Sequence, residues 1–419
     1  RDFPVTDGSR SNGSWDAFVA VVGAGGSLQF ASYVDKDSEE ADDIARDIAV
    51  DQAGNILVLS AAEVVKLAPD GTLLFAETLF GEGGGYGIHA ADGDVYAVGD
   101  AGGGRSRVVK LDGTGIILYS AEFEGVGYDL TVDDEGHAFV AGGSGVVRLG
   151  PGGALLGSTS LPGEAYGIAV HDGHIYIAGR IRTGDLSATP GAFDPSQDAA
   201  GDAYLAVLDG ESSVLYASYL GGSSEDVAHD LAVDPEGCAY LTGLTRSPDF
   251  PTTVGAFDST LGGAGDIFLA RLCPSGWGAR DLAYATLLGG ADPSTPPYLM
   301  PDRGFAVALD GHCHAYLTGE SGSADFPATT AGGATGFSDA VLVELFLDAD
   351  ADGWGQGCDC DDGDATSYPG AVEICDDRDN NCDGQKDESV CGEPTDADCD
   401  GVNDCTSDLC LGTVGDDLL

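Results

Sequence analysis

The feature that most constrains how this 419-residue chain can fold is an internal repeat in its first 347 residues. A strand-like segment, an acidic turn with glycine and a second strand-like segment recur six times. The six copies end at Ser60, Gly99, Gly142, Gly179, Gly243 and Gly319. Self-similarity at a period of roughly 40 residues is typical of propellers and solenoids, so each copy belongs to a larger repeated unit.

Each hairpin is followed by further strand-like segments. A third segment begins, in the six copies, at Glu63, Arg107, Val146, Asp202, Asp266 and Asp339. Most copies add a fourth, of the type LLFAETL or VLYASYL. Four short strands that are rich in β-branched and aromatic residues are typical of one propeller blade. The sequence therefore predicts an all-β fold, a β-propeller over residues 1–347, with six blades as the first choice and seven as the alternative.

The later copies are longer because of their loops. RSPDFPTTVGAF follows Thr245, and SGSADFPATTAGG follows Glu320. Both loops lie between the second and third strands, so we expect them on one face of the propeller. Loop-rich faces are common binding surfaces.

Ring closure admits two interpretations. A seventh third-strand segment, DAFVAVV at Asp16, precedes the first hairpin. LQFASY near Leu28 follows DAFVAVV and also precedes that hairpin. If LQFASY supplies the outer strand of the last blade, either DAFVAVV or DAVLVEL is surplus. The surplus strand is then an extra edge or the sign of an N-terminal truncation. Alternatively it pairs with a neighbouring subunit, because an unpaired edge is a template for β-augmentation.

The segment from 348 to 419 differs from the repeat region in charge and in cysteine content. The chain has 71 Asp and Glu against 17 Lys and Arg, a formal net charge of −54, and this segment carries −20 of it. Eight of the 11 cysteines also fall here. Dense cysteines in a short segment of low apolar content indicate disulfides and an oxidising compartment. Residues 348–419 are therefore predicted to form a second, acidic and cysteine-rich metal-binding module with irregular structure.

The charge and hydropathy exclude two classes of partner. Nucleic acids and anionic membranes need clustered Lys and Arg, and this chain has four lysines in all. No apolar run is long enough for a membrane span. The chain opens with RDFPVTDGSR, which does not read as a signal peptide.

Three acidic clusters in the last segment have the spacing of calcium loops. The first places Asp348, Asp350 and Asp352 at alternate positions before Gly353, with Asp359 at the twelfth place. Alternate side chains then converge on one hard cation, and the late carboxylate completes its oxygen shell. The second cluster consists of Asp379, Asn381, Asp383, Asp387 and Glu388, and the third of Asp396, Asp398, Asp400 and Asp404. We expect two or three Ca²⁺ ions in this module.

Both regions resemble known families. DAFVAVV, LQFASY, IAVD, GNILVLS and DFPVT resemble the bacterial SBBP β-propeller repeats, which are similar to NHL repeats and are found in secreted and surface proteins. DCDDGDATSYPGAVEICDDRDNNCDGQKDE, over residues 359–388, resembles the metal-binding motif of MopE-like surface proteins. That resemblance adds Asp361, Asp362 and Asp364 to the expected metal-binding residues. DADCDGVNDC, from Asp396, is similar to a thrombospondin type 3 calcium repeat.

The cysteines admit a disulfide and a zinc interpretation. Cys358, Cys360, Cys375 and Cys382 could ligate Zn²⁺, but their spacing is not that of a zinc ribbon, and a secreted chain oxidises free thiols. We expect disulfides among the eight tail cysteines, namely Cys358, Cys360, Cys375, Cys382, Cys391, Cys399, Cys405 and Cys410, without a deducible connectivity. In the propeller, Cys238 opens a second strand and Cys273 ends the antiparallel third strand. The sequence predicts a disulfide between these two residues and leaves Cys313 without a partner.

A catalytic constellation is not evident. His89 and His229 fall in or near channel-lining strands, and His171 follows a third such strand, while His312 and His314 flank Cys313 in a turn. We interpret these histidines as structural and expect no enzyme. The expected function is that of a secreted or cell-surface structural or interaction protein. Its partners would be proteins or polysaccharides at the cell exterior, or further copies of itself in an oligomer or filament. The alternatives are an extracellular propeller lyase or hydrolase and a carbohydrate- or protein-binding adhesin.

Overall fold

The structure is a computed structural model of the chain. It describes residues 5–6, 17–23, 26–34, 44–60, 62–81, 84–143, 145–198, 201–291, 300–323, 325–327 and 339–387. Within these residues the regular elements are 25 β-strands and one short 3-10 helix, Gly278–Arg280. The all-β prediction is confirmed.

The strands form seven antiparallel sheets. A two-stranded sheet comes first, with β1 Phe18–Gly23 and β2 Ser27–Tyr33. The first blade contains β3 Ala45–Val50, β4 Ile56–Ser60, β5 Glu63–Leu67 and β6 Leu73–Thr78. The second contains β7 Gly85–Ala91, β8 Asp94–Gly102, β9 Arg105–Leu111 and β10 Ile117–Glu124. The third contains β11 Gly127–Val132, β12 Ala138–Gly142, β13 Gly145–Leu149 and β14 Leu155–Ser160.

The remaining three blades follow in the same order. The fourth contains β15 Glu164–His171, β16 His174–Ile181, β17 Asp202–Leu208 and β18 Val214–Leu220. The fifth contains β19 Asp226–Val233, β20 Ala239–Thr245, β21 Asp266–Leu272 and β22 Leu282–Leu288. The sixth contains β23 Arg303–Leu309, β24 Ala315–Ser321 and β25 Asp339–Leu345.

The six blades are arranged as a propeller. In each blade the strands are ordered as in the sequence, and the first strand contacts the first strand of the next blade, from β3 through β23. First strands are therefore innermost, around the channel. The six-blade prediction is confirmed.

The core lies between the blades and explains the near-continuous apolar runs. Every residue of β17 and β21 is buried. Successive side chains of a strand point to opposite faces, so one strand serves two neighbours. In β17, Leu205 packs in the cluster shared with the fifth blade, whereas Tyr204 and Ala206 pack in the cluster shared with the third.

The antiparallel topology gives the propeller two distinct ends. First and third strands start at one end, which also carries the connections between second and third strands, such as residues 246–265. We call it the loop face. The turns between first and second strands, such as residues 234–238, lie at the opposite end, which we call the turn face. Three loop-face segments are fixed in the same way, because the side chains of Thr6, Thr189 and Thr253 accept from the N–H groups of Ala31, Ala217 and Ala285.

The two-stranded sheet corrects the expectation for ring closure. Strand β2 pairs with β1 and not with β25, so LQFASY is not the outer strand of the last blade. The β1–β2 pair packs instead on the first blade, where Val19 and Phe30 join Ile56 and Val65 in one apolar cluster. Among the described residues, the last blade has three strands.

The disulfides confirm one prediction and correct another. Cys238 and Cys273 are bonded, as predicted. The prediction that Cys313 has no partner is wrong, because Cys313 is bonded to Cys358 and thereby ties the last blade to the following segment. The tail cysteines therefore do not pair only among themselves. This pairing depends on where residue 358 lies in space, which cysteine spacing does not reveal.

The other described tail cysteines are also oxidised. Cys360 is bonded to Cys382, and Cys375 is disulfide-bonded as well. The zinc interpretation fails for these residues, since no thiolate remains to ligate the metal.

No helix among the described residues is long and apolar enough to cross a membrane.

Candidate metal centre

The first acidic cluster, residues 348–359, folds into a tight loop directly after the last blade. Ala351 and Gly353 both have positive φ angles, 67° and 97°. The side chain of Asp348 accepts hydrogen bonds from the N–H groups of Ala351, at 2.6 Å, and Gly353, at 3.0 Å. This local bonding turns the chain sharply and holds the alternate carboxylates on the inside of the loop.

The loop brings the predicted ligands together. Carboxylate oxygens of Asp348, Asp350 and Asp352 lie within 4.8 Å of one another. Among the described residues, no hydrogen-bond donor reaches the Oδ2 atoms of Asp350, Asp352 and Asp359, and all three atoms are shielded from solvent. Buried carboxylate oxygens that accept nothing are costly, and a cation between Asp348, Asp350 and Asp352 would satisfy the oxygens of that group.

The electrostatics of the loop agree with this geometry. Burial and the charges of Asp352 and Asp350 raise the pKa of Asp359 to about 6. Burial also raises the pKa of Asp362, and the charges of Asp350 and Asp348 add to the effect. Closely spaced carboxylates destabilise one another's charged forms, and a bound cation removes that repulsion. These residues therefore fit a metal ion of the hard, oxygen-binding kind.

The loop is docked on the turn face of the propeller. The N–H group of Gly355 donates to the carbonyl of His312 at 2.7 Å, and the Tyr240 hydroxyl donates to the carbonyl of Gln356 at 3.0 Å. The Trp354 ring meets the His312 ring edge-on, with centroids 4.3 Å apart. Together with the disulfide from Cys313, these contacts fix the loop against the fifth and sixth blades.

A buried ion pair lies beneath the docked loop. Arg271 donates to Asp234 at 2.8 Å and to Glu236 at 2.8 Å, and both Arg271 and Asp234 are almost fully buried. Gly357 packs on this pair so closely that a Cβ would overlap the Asp234 carboxylate. The absence of a side chain at position 357 therefore allows the loop to approach the propeller.

The second acidic cluster repeats the backbone bonds of the first. Asp379 accepts from the N–H group of Gly384 as Asp348 does from Gly353, and Asn381 accepts from Asp383 as Asp350 does from Asp352. Asp387 is buried and accepts from the backbone at Asp376 and Asp377. Within the described residues, the second cluster does not bring three carboxylates within 4.8 Å of one another as the first cluster does.

Other predicted ligands hold the module together by charge. Arg378 forms ion pairs with Asp361, at 3.2 Å, and with Asp364. Asp362 accepts from the N–H group of Ala349 at 3.1 Å and so borders the first loop. The remaining predicted ligands and cysteines lie outside the described residues, namely Glu388, Asp396, Asp398, Asp400, Asp404, Cys391, Cys399, Cys405 and Cys410.

Groups of metal-ligating side chains also occur in hairpin turns. One consists of Asp310, His312 and His314, and similar groups occur in the turns 133–137 and 234–238. The turn itself explains them. A carboxylate at the end of the first strand accepts the N–H group four residues later, as Asp310 does from His314, and this brings alternate residues together.

The channel holds two of the predicted structural histidines and an aromatic row that the sequence interpretation missed. Burial lowers the pKa of His89 to about 4, and Nδ1 of His229 lies 2.7 Å from the Gly304 carbonyl. Successive rings in the row have centroids 5.3 to 6.2 Å apart. Its members are Tyr86, Tyr128, Tyr166, His229 and Phe305. Each of these residues lies at the β-bulge of a first strand. In the sequence, each comes directly before a pair such as Gly-Ile or Asp-Leu, so the repeated aromatic position could have been recognised from the repeat.

Comparison with known proteins identifies one family motif. The model Cu-binding_MopE, described as "Putative metal-binding motif", matches residues 359–388. No curated protein matches the chain significantly. Among solved structures, a streptogramin B lyase is similar with 12% identity and a TM-score of 0.47, over 72% of this chain and 83% of that one. A Bacteroides caccae protein of unknown function has 15% identity and a TM-score of 0.42, over 65% of this chain and 90% of that one. BamB from Moraxella catarrhalis has 11% identity and a TM-score of 0.40, over 73% of this chain and 88% of that one.

Proposed function

We propose that the chain is a secreted or cell-surface structural or interaction protein, in which Ca²⁺ stabilises the C-terminal module on a propeller scaffold. One observation carries this proposal: the unpartnered, shielded Oδ2 atoms of Asp350, Asp352 and Asp359 in a single loop. Asp348 and the neighbouring backbone carbonyls would complete an oxygen shell around an ion. The ion would then lock the segment that the Cys313–Cys358 disulfide attaches to the last blade.

Calcium suits this site better than a transition metal. The available donors of the first loop are oxygens, and the thiols nearby are oxidised. Irregular clusters of carboxylate and carbonyl oxygens are typical of Ca²⁺, whereas imidazole and thiolate select softer ions. The disulfides also support an exterior location, where calcium is abundant and thiols are oxidised.

Calcium titration of the full chain tests the proposal. We compare the triple variant Asp350→Asn, Asp352→Asn and Asp359→Asn with the control Asp70→Asn, whose exposed carboxylate accepts the N–H group of Thr72 in a turn of the first blade. Isothermal titration should show that the triple variant binds one ion fewer than the unmodified chain, and that the control binds the full number. Equal stoichiometry in the triple variant and the control would overturn the proposal.

Assembly through strand edges is the second part of the proposal. The β1–β2 sheet exposes Phe18, Val22 and Leu28, at 39 to 42% of their surface. Among the described residues, β25 has no fourth strand beside it. Open edges next to exposed apolar residues favour pairing with another chain.

Light scattering after size exclusion tests the assembly. We expect a mass of at least two chains for the unmodified protein and a shift toward one chain for Val22→Lys and Leu28→Lys together. Replacing Val254 and Phe257 by Lys is the control, because these exposed residues lie in the connection between β20 and β21 and in no strand. A monodisperse monomer of the unmodified chain would contradict this part.

A binding role for the loop face is the second candidate function. The aromatic row lies near the starts of the first strands, so it borders the channel on the loop face. Half-buried tyrosines offer flat apolar surfaces with a polar edge, which suit sugar rings or protein side chains. If the row is a binding surface, Tyr128→Ala should reduce retention on polysaccharide at least tenfold, while Tyr368→Ala in the tail should not. Equal retention of both variants would exclude it.

A further inference from the structure

Two junctions between blades each hold a pair of buried carboxylates outside the tail. Asp202 begins β17 in the fourth blade, and Asp226 begins β19 in the fifth. One blade later, Asp266 begins β21 and Asp302 immediately precedes β23. All four residues are at most 1% exposed. Third and first strands both start at the loop face, so both pairs lie at the end of the propeller opposite the docked tail.

The two junctions share the hydrogen bonds of their Oδ2 atoms. Oδ2 of Asp202 accepts from the N–H group four residues earlier at 2.7 Å, and Oδ2 of Asp266 does the same at 2.8 Å. The donors are Asp198 and Gly262. Oδ2 of Asp226 accepts from Gly222 at 2.8 Å and from Ser247, and Oδ2 of Asp302 accepts from Gly290 at 2.9 Å and from Ser323. A recurrence of this detail indicates a built arrangement that the repeat has preserved.

The two members of the second pair differ in their other oxygen. Oδ1 of Asp302 accepts from the Ser321 hydroxyl at 2.6 Å and from the N–H group of Gly322 at 3.0 Å. Oδ1 of Asp202 and Oδ1 of Asp266 are shielded from solvent and have no donor within the described part of the chain. The two carboxylates of the first junction face each other across Gly221. A Cβ on that glycine would lie 2.6 Å from Oδ2 of Asp226 and 3.1 Å from Oδ1 of Asp202. At the second junction, a Cβ on Gly289 would overlap Oδ1 of Asp266.

The surrounding charge is negative as well. Burial raises the pKa of Asp202 to about 6, and the charges of Asp226, Asp198 and Asp194 contribute. Burial raises the pKa of Asp266 to about 7, and the charges of Asp302 and Asp258 contribute. A buried pair of charged carboxylates without a compensating cation is strongly unfavourable.

We propose that a Ca²⁺ ion binds at each of these two blade junctions, with Oδ1 of Asp202 and Oδ1 of Asp266 as the anchoring ligands. A divalent ion balances both carboxylates of a pair, whereas a shared proton balances only one. Carboxylate, hydroxyl and carbonyl oxygens in an irregular setting suit Ca²⁺ better than Mg²⁺, which demands a near-ideal octahedron. The ions would fix the bases of the long connections on the loop face. The short-loop second and third blades begin their third strands with Arg105 and Gly145 and have no such site.

The count of bound calcium tests the proposal in a full chain whose tail loop carries the Asp350→Asn, Asp352→Asn and Asp359→Asn substitutions. After equilibrium dialysis at pH 7.5, Asp202→Asn and Asp266→Asn should each lower the bound calcium by one ion, and together by two. Asp70→Asn, in an exposed turn, is the control and should lower it by none. A calcium count in the double variant equal to that of Asp70→Asn would overturn the proposal.

Hydrogen exchange of the unmodified chain is a second measurement, and its result does not depend on whether the Asp→Asn variants fold. The amides of Asp198, Gly222, Gly262 and Gly290 donate to these carboxylates. Their exchange should speed up at least tenfold when chelator replaces calcium. If only amides of the tail loop respond, the tail binds calcium and the junctions do not. If the junction amides respond to pH but not to calcium, a proton neutralises the pair and the proposal fails.

Discussion

At the scale of single residues, the hairpin turns show why the repeat could be recognised from sequence. An aspartate ends each of several first strands and accepts the N–H group four residues later through Oδ1. The pairs are Asp51 with Asn55, Asp133 with His137, Asp234 with Cys238 and Asp310 with His314. Because both partners are local, the spacing of acid and glycine predicts the turn without any knowledge of the fold.

Channel carboxylates illustrate what residue spacing could not predict. Asp47, Asp129 and Asp230 occupy equivalent positions in the first strands of alternate blades. Each accepts from the first strand of the next blade, at the N–H groups of Ile88, Ile168 and Val307. These bonds join residues about 40 to 80 positions apart, so only the packing of neighbouring blades brings the partners together.

The same three residues make a prediction for pH dependence. Burial raises the pKa of Asp47 to about 7 and that of Asp230 to about 6, and it raises the pKa of Asp129 as well. The folded state then binds more protons than the unfolded state above the ordinary pKa of about 4. With chelator present, the free energy of unfolding should therefore fall as pH rises from about 4 to 7. This trend is opposite to that of a salt-bridged carboxylate.

Urea unfolding at several pH values between 5 and 7.5 measures this trend. Asp47→Asn should flatten it, whereas Asp112→Asn, a turn residue whose pKa is lowered by hydrogen bonds, should leave it unchanged in this range. The slope is compared rather than the absolute stability, because Asn also alters a hydrogen bond. A free energy that rises with pH across this window in the unmodified chain would refute the assignment.

At the scale of elements, the β-bulge explains the glycine that ends most of the predicted hairpins. In the fifth blade, the first strand bulges between Ala228 and Asp230, opposite Gly243 in the second strand. A Cβ on Gly243 would overlap the carbonyl of Val227. The glycine is thus required by a close approach of two backbones and not by its φ angle.

Replacing Gly243 therefore carries a specific cost. Gly243→Ala should destabilise the chain by about 2 kcal/mol or more, since backbone must move to admit the methyl group. Gly152→Ala is the matched control, because a Cβ there meets nothing within 4 Å. Thermal unfolding should show a clear loss for the first and none for the second. A loss of under about 0.5 kcal/mol for Gly243→Ala would show that the bulge relaxes easily.

The Cys313–Cys358 disulfide connects the two parts of the chain at the element scale. It closes a loop of 45 residues, and removing such a bond costs about 2 to 4 kcal/mol in the chain-entropy picture. We expect the double variant Cys313→Ala and Cys358→Ala to lose protease protection of residues 348–387 while the propeller stays folded. Removal of the Cys238–Cys273 bond within the fifth blade is the control and should leave the tail protected. Unchanged protection in the first variant would mean that docking contacts alone hold the module.

At the scale of the whole molecule, the first acidic loop was predictable and its setting was not. Asp348, Asp350 and Asp352 belong to one short segment, so their close approach follows from spacing and from Gly353. The docking of that loop on the turn face depends on Tyr240, His312 and the pairing of Cys313, which lie in other elements. The second cluster repeats the spacing and the backbone bonds of the first, but its described carboxylates form no such group of three.

The net charge of −54 also gains meaning at this scale. Part of it consists of shielded carboxylates with unpartnered oxygens, in the tail loop and at two blade junctions. Such groups lower stability when charged and empty, and they raise it when an ion is bound. The chain should therefore be markedly less stable without divalent cations than with them.

Thermal unfolding of the full chain at pH 7.5, in calcium and in excess chelator, tests the central claim most directly. Ligand binding to the folded state stabilises it by about 2.7 kcal/mol when calcium is at 100 times its dissociation constant. We predict a lower melting temperature in chelator, restored by calcium, together with faster cleavage within residues 348–387. Magnesium at the same concentration should restore less. Identical melting and identical cleavage in calcium and chelator would contradict the account.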